Sequence, residues 1–253
     1  MAILQYRLGK LPARVDRRTL RLERYALDLP TPPASVDYTP AVLALGGFPM
    51  LLNDSLGDCA IAGPGHLEQT WSDNAGVPFA PADAQILAAY EAIGGYDPTN
   101  PGSDQGCNLL DVMNAWRQTG IAGNVITAYA QARPSDQAEM KNVICLFGGA
   151  MLGVQLPDSV CQGDLLANPW DDTVTDPPSP YNGHCVVVVG YTQAGLSVVT
   201  WGAVKFMSWK FLAAYADEAY AVLSPQWFNP TSGKDPAGLD LPSLLSDLQA
   251  VTA

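Results

Sequence analysis

Two residues carry the chemistry this chain can be expected to do. Cys59 ends the segment Asn53-Asp-Ser-Leu-Gly-Asp-Cys59, and His184 lies in Gly183-His-Cys-Val-Val-Val-Val-Gly-Tyr191, 125 residues further on. The first segment is a turn that runs into helical sequence, so Cys59 stands where a helix begins. A thiol there feels the positive end of the helix dipole, which favours the thiolate. His184 opens an apolar strand. An imidazole brought across the fold to such a thiol could form a thiolate–imidazolium pair and later protonate a leaving group. The bland alternatives are a small buried core cysteine and a histidine satisfied at a strand edge. Asp58 works against the anion, because a carboxylate beside a thiolate disfavours it unless it points away. His66, seven residues past Cys59, is about a turn too far to touch the thiol and reads as core or cleft wall.

The elements that must position this pair fall into two kinds. Residues 1–35 form an extended, proline-rich, basic arm, with a helical turn or two between 17 and 25. Residues 40–49 read as a loop with a Gly-Gly break. Helical periodicity follows over 59–74, with Pro64 awkward inside it, then over 81–93 and 107–119. From residue 125 strands take over: 125–129, 150–156, a hairpin of 185–191 with 196–201, and 219–223. Helices intervene at 135–147, opened by Ser135, and after Ser208. Residues 162–182 are loop. The tail, 224–253, holds a short helix over 241–251. A helical lobe (50–122) followed by a sheet lobe (123–223) implies an α+β fold with a cleft between them.

Composition narrows the partners. The net charge is −12, yet residues 1–24 carry +5 and the remainder −17. So acidic a body argues against nucleic acid as a partner. The basic arm is expected on its own acidic body or on a neighbouring subunit. No apolar run reaches membrane-span length, so no membrane partner is expected. The N-terminus has no secretory pattern, which points to the cytoplasm, or to a phage particle under the structural reading below. The cysteines number five, an odd count without a CxxC pair, and are expected to be reduced. Two histidines and scattered cysteines make no metal-ligand cluster, so neither metal nor cofactor is expected.

Taken together, these phrases resemble the papain-like cysteine peptidase superfamily, in a divergent bacterial or phage variant. Asn53 and Cys59 have the six-residue spacing of that family's glutamine and nucleophilic cysteine. His184-Cys-Val-Val-Val-Val-Gly-Tyr191 is similar to its histidine strand, and Val199-Thr-Trp-Gly202 to its Asn-Ser-Trp-Gly. Residues 106–121 resemble its second cleft-side helix, and Val36-Asp-Tyr38 the opening of the mature enzyme. The match touches roughly residues 36–223. It implies a two-lobe fold, a helical left lobe and an antiparallel, barrel-like right lobe. It implies Cys59 as nucleophile and His184 as acid and base. Asn53 would donate to an oxyanion beside the Cys59 N–H, although it reads equally well as a turn residue bonding its own backbone. The family asparagine falls on Val199, which cannot accept from an imidazole. Thr200 could face the ring only if the register shifts by one. The preferred picture is a dyad shielded by Trp201, itself otherwise a core residue. Asp104 and Gly106 lie where the family puts a substrate-flanking glycine loop, and Asp58 borders the cleft.

Three functional readings follow. The first is a hydrolase or transferase acting on a peptide or amide through a thioester. The second is a catalytically silent structural or assembly protein, such as a phage particle component, forming a homo-oligomer or larger assembly through residues 1–35. In the third, the arm is a pro-segment lying across the cleft.

Overall fold

The computed structural model describes residues 6–24, 31–236 and 238. The helix expected over 241–251 and the end of the arm's first helical turn lie outside them. Within them the chain is α+β: six α-helices and one seven-stranded antiparallel sheet.

The helical part begins with β1 (Val36–Asp37) and α1 (Thr39–Ala44). Here a helix replaces the first half of the loop expected over 40–49, and 45–49 stay non-helical. Pro40 sits in its first turn, where a missing N–H costs nothing, and the Asp37 carboxylate accepts from the Thr39 N–H and hydroxyl. α2 (Cys59–Asn74) is the central helix, with every residue from 59 to 73 buried. Its first turns, 59–65, are apolar or small, and the polar Glu68, Thr70 and Ser72 further along are hydrogen-bonded within the protein. Pro64 forfeits one backbone bond but does not end it. α3 (Asp83–Gly94) and α4 (Leu109–Gln118) pack against α2. Trp116 stacks on Trp71 at 5.7 Å.

The sheet runs β2–β7–β3–β4–β5–β6, with β1 added to β4. Its strands are β2 (Ala128–Ala132), β3 (Ala150–Gln155), β4 (Gly183–Tyr191), β5 (Gly195–Thr200), β6 (Ala203–Ser208) and β7 (Ala216–Leu223). β4 is buried throughout. Covered on both faces, it reads as an unbroken apolar run rather than an alternation. α5 (Gln137–Phe147) and α6 (Trp209–Tyr215) complete the fold. Asp136, not Ser135, caps α5, its side chain accepting from the Glu139 N–H.

β4 lies along α2. That contact brings the start of the buried helix to the start of the buried strand, and so Cys59 to the neighbourhood of His184.

Candidate active site

The turn before Cys59 is built under backbone constraint. Leu51 and Leu52 both have positive φ, 54° and 68°, a region costly for side chains of that size. The turn buries Asn53, whose Nδ2 donates to Leu56 O (3.2 Å) and to Asp58 Oδ1 (3.1 Å). Both amide hydrogens are thereby committed, so Asn53 here fastens the turn rather than presenting a free donor. Asp58 is fully buried, and burial pushes its carboxyl up to about 8. At pH 7 it is mostly the neutral acid, which weakens its opposition to a thiolate next door.

Cys59 is the first residue of α2 and is 1% exposed. Its sulfur accepts from the N–H of Cys185, the residue after His184, at 3.4 Å. His184 is fully buried and its ring lies flat on Trp201, centroids 4.3 Å apart at 13°. Nε2 is 2.7 Å from Thr200 Oγ1, while Nδ1 has no hydrogen-bond partner. Thr200 therefore faces the ring. A register irregularity between β4 and β5, between Val188 and Gly190, lies on the strand that carries His184. Burial drives the thiol up to about 12 and the imidazole down to about 3. In this state both are neutral.

Asp104 is half-buried. Its carboxylate accepts from the Gly57 N–H (3.0 and 3.2 Å) and from the Tyr90 hydroxyl (2.6 Å). Tyr90 in turn accepts from the Gly106 N–H at 2.9 Å. Tyr90 and Asp104 tie the glycine loop to the turn that ends in Cys59. Sequence reasoning passed over Tyr90, which sits on a helix face that reads simply as core.

Over all of this lies the chain's own arm. Gly9 packs against Gly57 in the turn before Cys59, and its backbone works against the rise that burial imposes on the thiol. Arg7 N–H donates to Asn53 O (3.3 Å), and Trp201 Nε1 to Arg7 O (3.1 Å). Cys107 N–H donates to Gly9 O (2.8 Å), Leu11 N–H to Cys107 O (2.9 Å) and Lys10 N–H to Gly183 O (3.1 Å). Tyr6 stacks on Trp201 at 5.1 Å. The approach is close enough to require glycine. A Cβ on Gly9 would fall 1.8 Å from Gly57 O, and one on Gly106 would fall 1.9 Å from Gly9 O. Residues 6–11 thus fill the seam between the helices and the sheet.

No protein-family model matches the sequence, and no curated protein matches it. Solved structures do match the fold. Xylellain, a cysteine protease from Xylella fastidiosa, superposes with a TM-score of 0.66 at 16% identity, over 87% of this chain and 97% of that one. Procathepsin B S9 from Trypanosoma congolense gives 0.59 at 11%, over 86% of each chain. Digestive procathepsin L 3 of Tenebrio molitor gives 0.55 at 15%, over 87% and 77%. The chain has the fold of the papain-like cysteine proteases.

Proposed function

We propose that this protein is a cysteine peptidase or amidase-like hydrolase, held inactive by residues 6–11. The observation that carries the reading is the pairing of Cys59 Sγ with the N–H of Cys185 while the adjacent His184 ring is anchored through Nε2 to Thr200. We read Nε2–H as the donor to Thr200 Oγ1. That tautomer leaves the lone pair on Nδ1, the nitrogen with no other partner.

While the arm covers the seam, desolvation keeps thiol and imidazole neutral. Release of the arm restores water, and the proton moves from Cys59 Sγ to His184 Nδ1. The thiolate attacks the substrate carbonyl carbon. The oxyanion meets the Cys59 N–H, which as the first of α2 has no partner inside the helix. The C–N bond breaks, His184 gives its proton to the departing amine, and water then hydrolyses the thioester with His184 as base. Thr200 orients the ring and Trp201 shields it.

The second reading is a permanently silent scaffold, favoured by the depth at which Lys10 is buried. The two separate in one experiment. A protease site inserted in the exposed stretch 12–15 allows the folded protein to be nicked and its N-terminal fragment removed. The hydrolase then shows Cys59 alkylated by iodoacetamide at least tenfold faster than the other four cysteines, and His184→Ala abolishes the preference. Equal rates before and after nicking, with the fragment gone, support the scaffold.

A further inference from the structure

One cluster in the cleft lies outside the chemistry above. Lys10 follows Gly9, the residue packed against the turn before Cys59, and its side chain has no exposed surface. Its ammonium donates to Asp217 Oδ2 (2.8 Å), Glu218 Oε1 (3.1 Å) and Leu11 O (3.1 Å), so all three N–H groups are used. Each carboxylate is braced behind. Tyr220 OH donates to Glu218 Oε2 at 2.9 Å, and Gln155 Nε2 to Asp217 Oδ2 at 2.9 Å. Gly153 of β3 makes room for the aliphatic stem, for a Cβ there would come 2.8 Å from Lys10 Cδ and 2.7 Å from Glu218 Cγ. A glycine inside a strand marks such a close approach.

We propose that Asp217, Glu218 and Gly153 form a specificity socket that selects a lysine or arginine side chain of the substrate, and that Lys10 occupies it in place of substrate. The inference rests on the hydrolase reading for its setting, but the socket's preference is a property of binding alone. Glu218 is 1% exposed and adjoins a second carboxylate. Emptied, Glu218 is a buried carboxylate beside the partly exposed Asp217, and a bare buried charge is strongly unfavourable. An incoming cation restores the balance, whereas a neutral side chain of equal length does not. Apart from the glycine that position 9 requires, the backbone bonds of residues 7–11 hold a peptide without choosing its side chains. The choice of charge falls to the socket, one residue beyond that glycine.

The test starts from the full chain, folded and then nicked in the exposed stretch 12–15. Labelled peptides copying residues 6–11, with Lys, Arg, norleucine or Glu at the position of Lys10, are exchanged into the cleft. Lys and Arg peptides are expected to be retained at least tenfold longer than norleucine, with Glu excluded. In parallel, the intact full-length Lys10→Met protein should lose protection of Cys59 against iodoacetamide, and Lys10→Arg should keep it. Equal retention of norleucine and lysine, or equal protection in Lys10→Met, overturns the socket. A lysine preference in a nicked protein that hydrolyses nothing overturns the hydrolase and leaves the socket. Hydrolysis indifferent to lysine does the reverse.

Discussion

Thr200 is the residue on which the readiness of the proposed dyad turns. Its hydroxyl is the partner of a fully buried imidazole nitrogen. Thr200→Val keeps the shape and leaves both ring nitrogens unsatisfied. An unmet buried polar group costs about 1–3 kcal/mol, so urea denaturation should register a loss of that size. Alkylation of Cys59 in the nicked protein should also slow, while Thr200→Ser restores it. Recovery of stability without recovery of alkylation in the serine variant would remove Thr200 from the orienting role. Asp58 carries a pH signature. Its folded pKa, pushed up by burial to about 8, lies above its unfolded value. The stability it contributes is complete below about pH 4 and is lost as pH rises through 8. Asp58→Asn should therefore flatten the fall in stability between pH 5 and pH 8, measured by denaturant titration. Part of the slope remains, because Glu68 is also raised by burial to about 8. His184 and His66, depressed to about 3 and 4, act with the opposite sign and cost stability as pH falls below about 6.5. Cys59 and His184 were legible in sequence because each opens a strongly patterned element. Thr200 was legible only as a conditional candidate, since its orientation depends on pairing between β4 and β5 that no local pattern announces.

At the scale of elements, legibility followed burial on both sides. β4 and the first turns of α2 read clearly because packing decides their residues. β6 went unread. It alternates Val204 and Phe206 outward to solvent with Lys205 turned toward the carbonyls of Leu166 and Asn168. That inverts the usual apolar-in pattern of a half-buried strand. β2 begins three residues later than its sequence suggests, since Val125 is exposed and the ladder to β7 starts at Ala128. The buried Glu68 shows why polar residues inside a helix can be structural. Its carboxyl accepts from Trp116 Nε1 (2.8 Å) and Asn124 Nδ2 (3.0 Å), joining α2 to α4 and to the turn beyond it. Glu68→Ala strands both donors and opens a cavity. A loss of about 2–4 kcal/mol is expected by thermal or urea unfolding, with Cys59 alkylation in the nicked protein little changed. A loss below about half a kcal/mol would mean that the bond joining these elements adds nothing net.

The molecule as a whole places a basic arm on an acidic body, and the two kinds of contact between them respond differently to salt. Arg14 with Asp111, and Arg133 with Glu23, are half-exposed surface pairs. Such pairs are worth little and are screened. Lys10 with Glu218 has no water around it to carry counterions. Charge asymmetry in sequence pointed the arm toward its own body or a neighbouring subunit. It could not show which one of seven basic residues would enter the cleft, because that depends on Gly9 letting the backbone down onto Gly57. Arm closure should accordingly survive salt and fail on sterics. Raising ionic strength to about 1 M, where the screening length is about 3 Å, should change the protection of Cys59 from iodoacetamide less than twofold in the intact protein. Gly9→Ala, a change confined to the arm, should raise the alkylation rate at least tenfold at any salt while leaving the unfolding midpoint of the body close to the parent's. If salt alone opens the cleft, the arm is held by its surface charges, and the backbone seat of residues 6–11 is secondary.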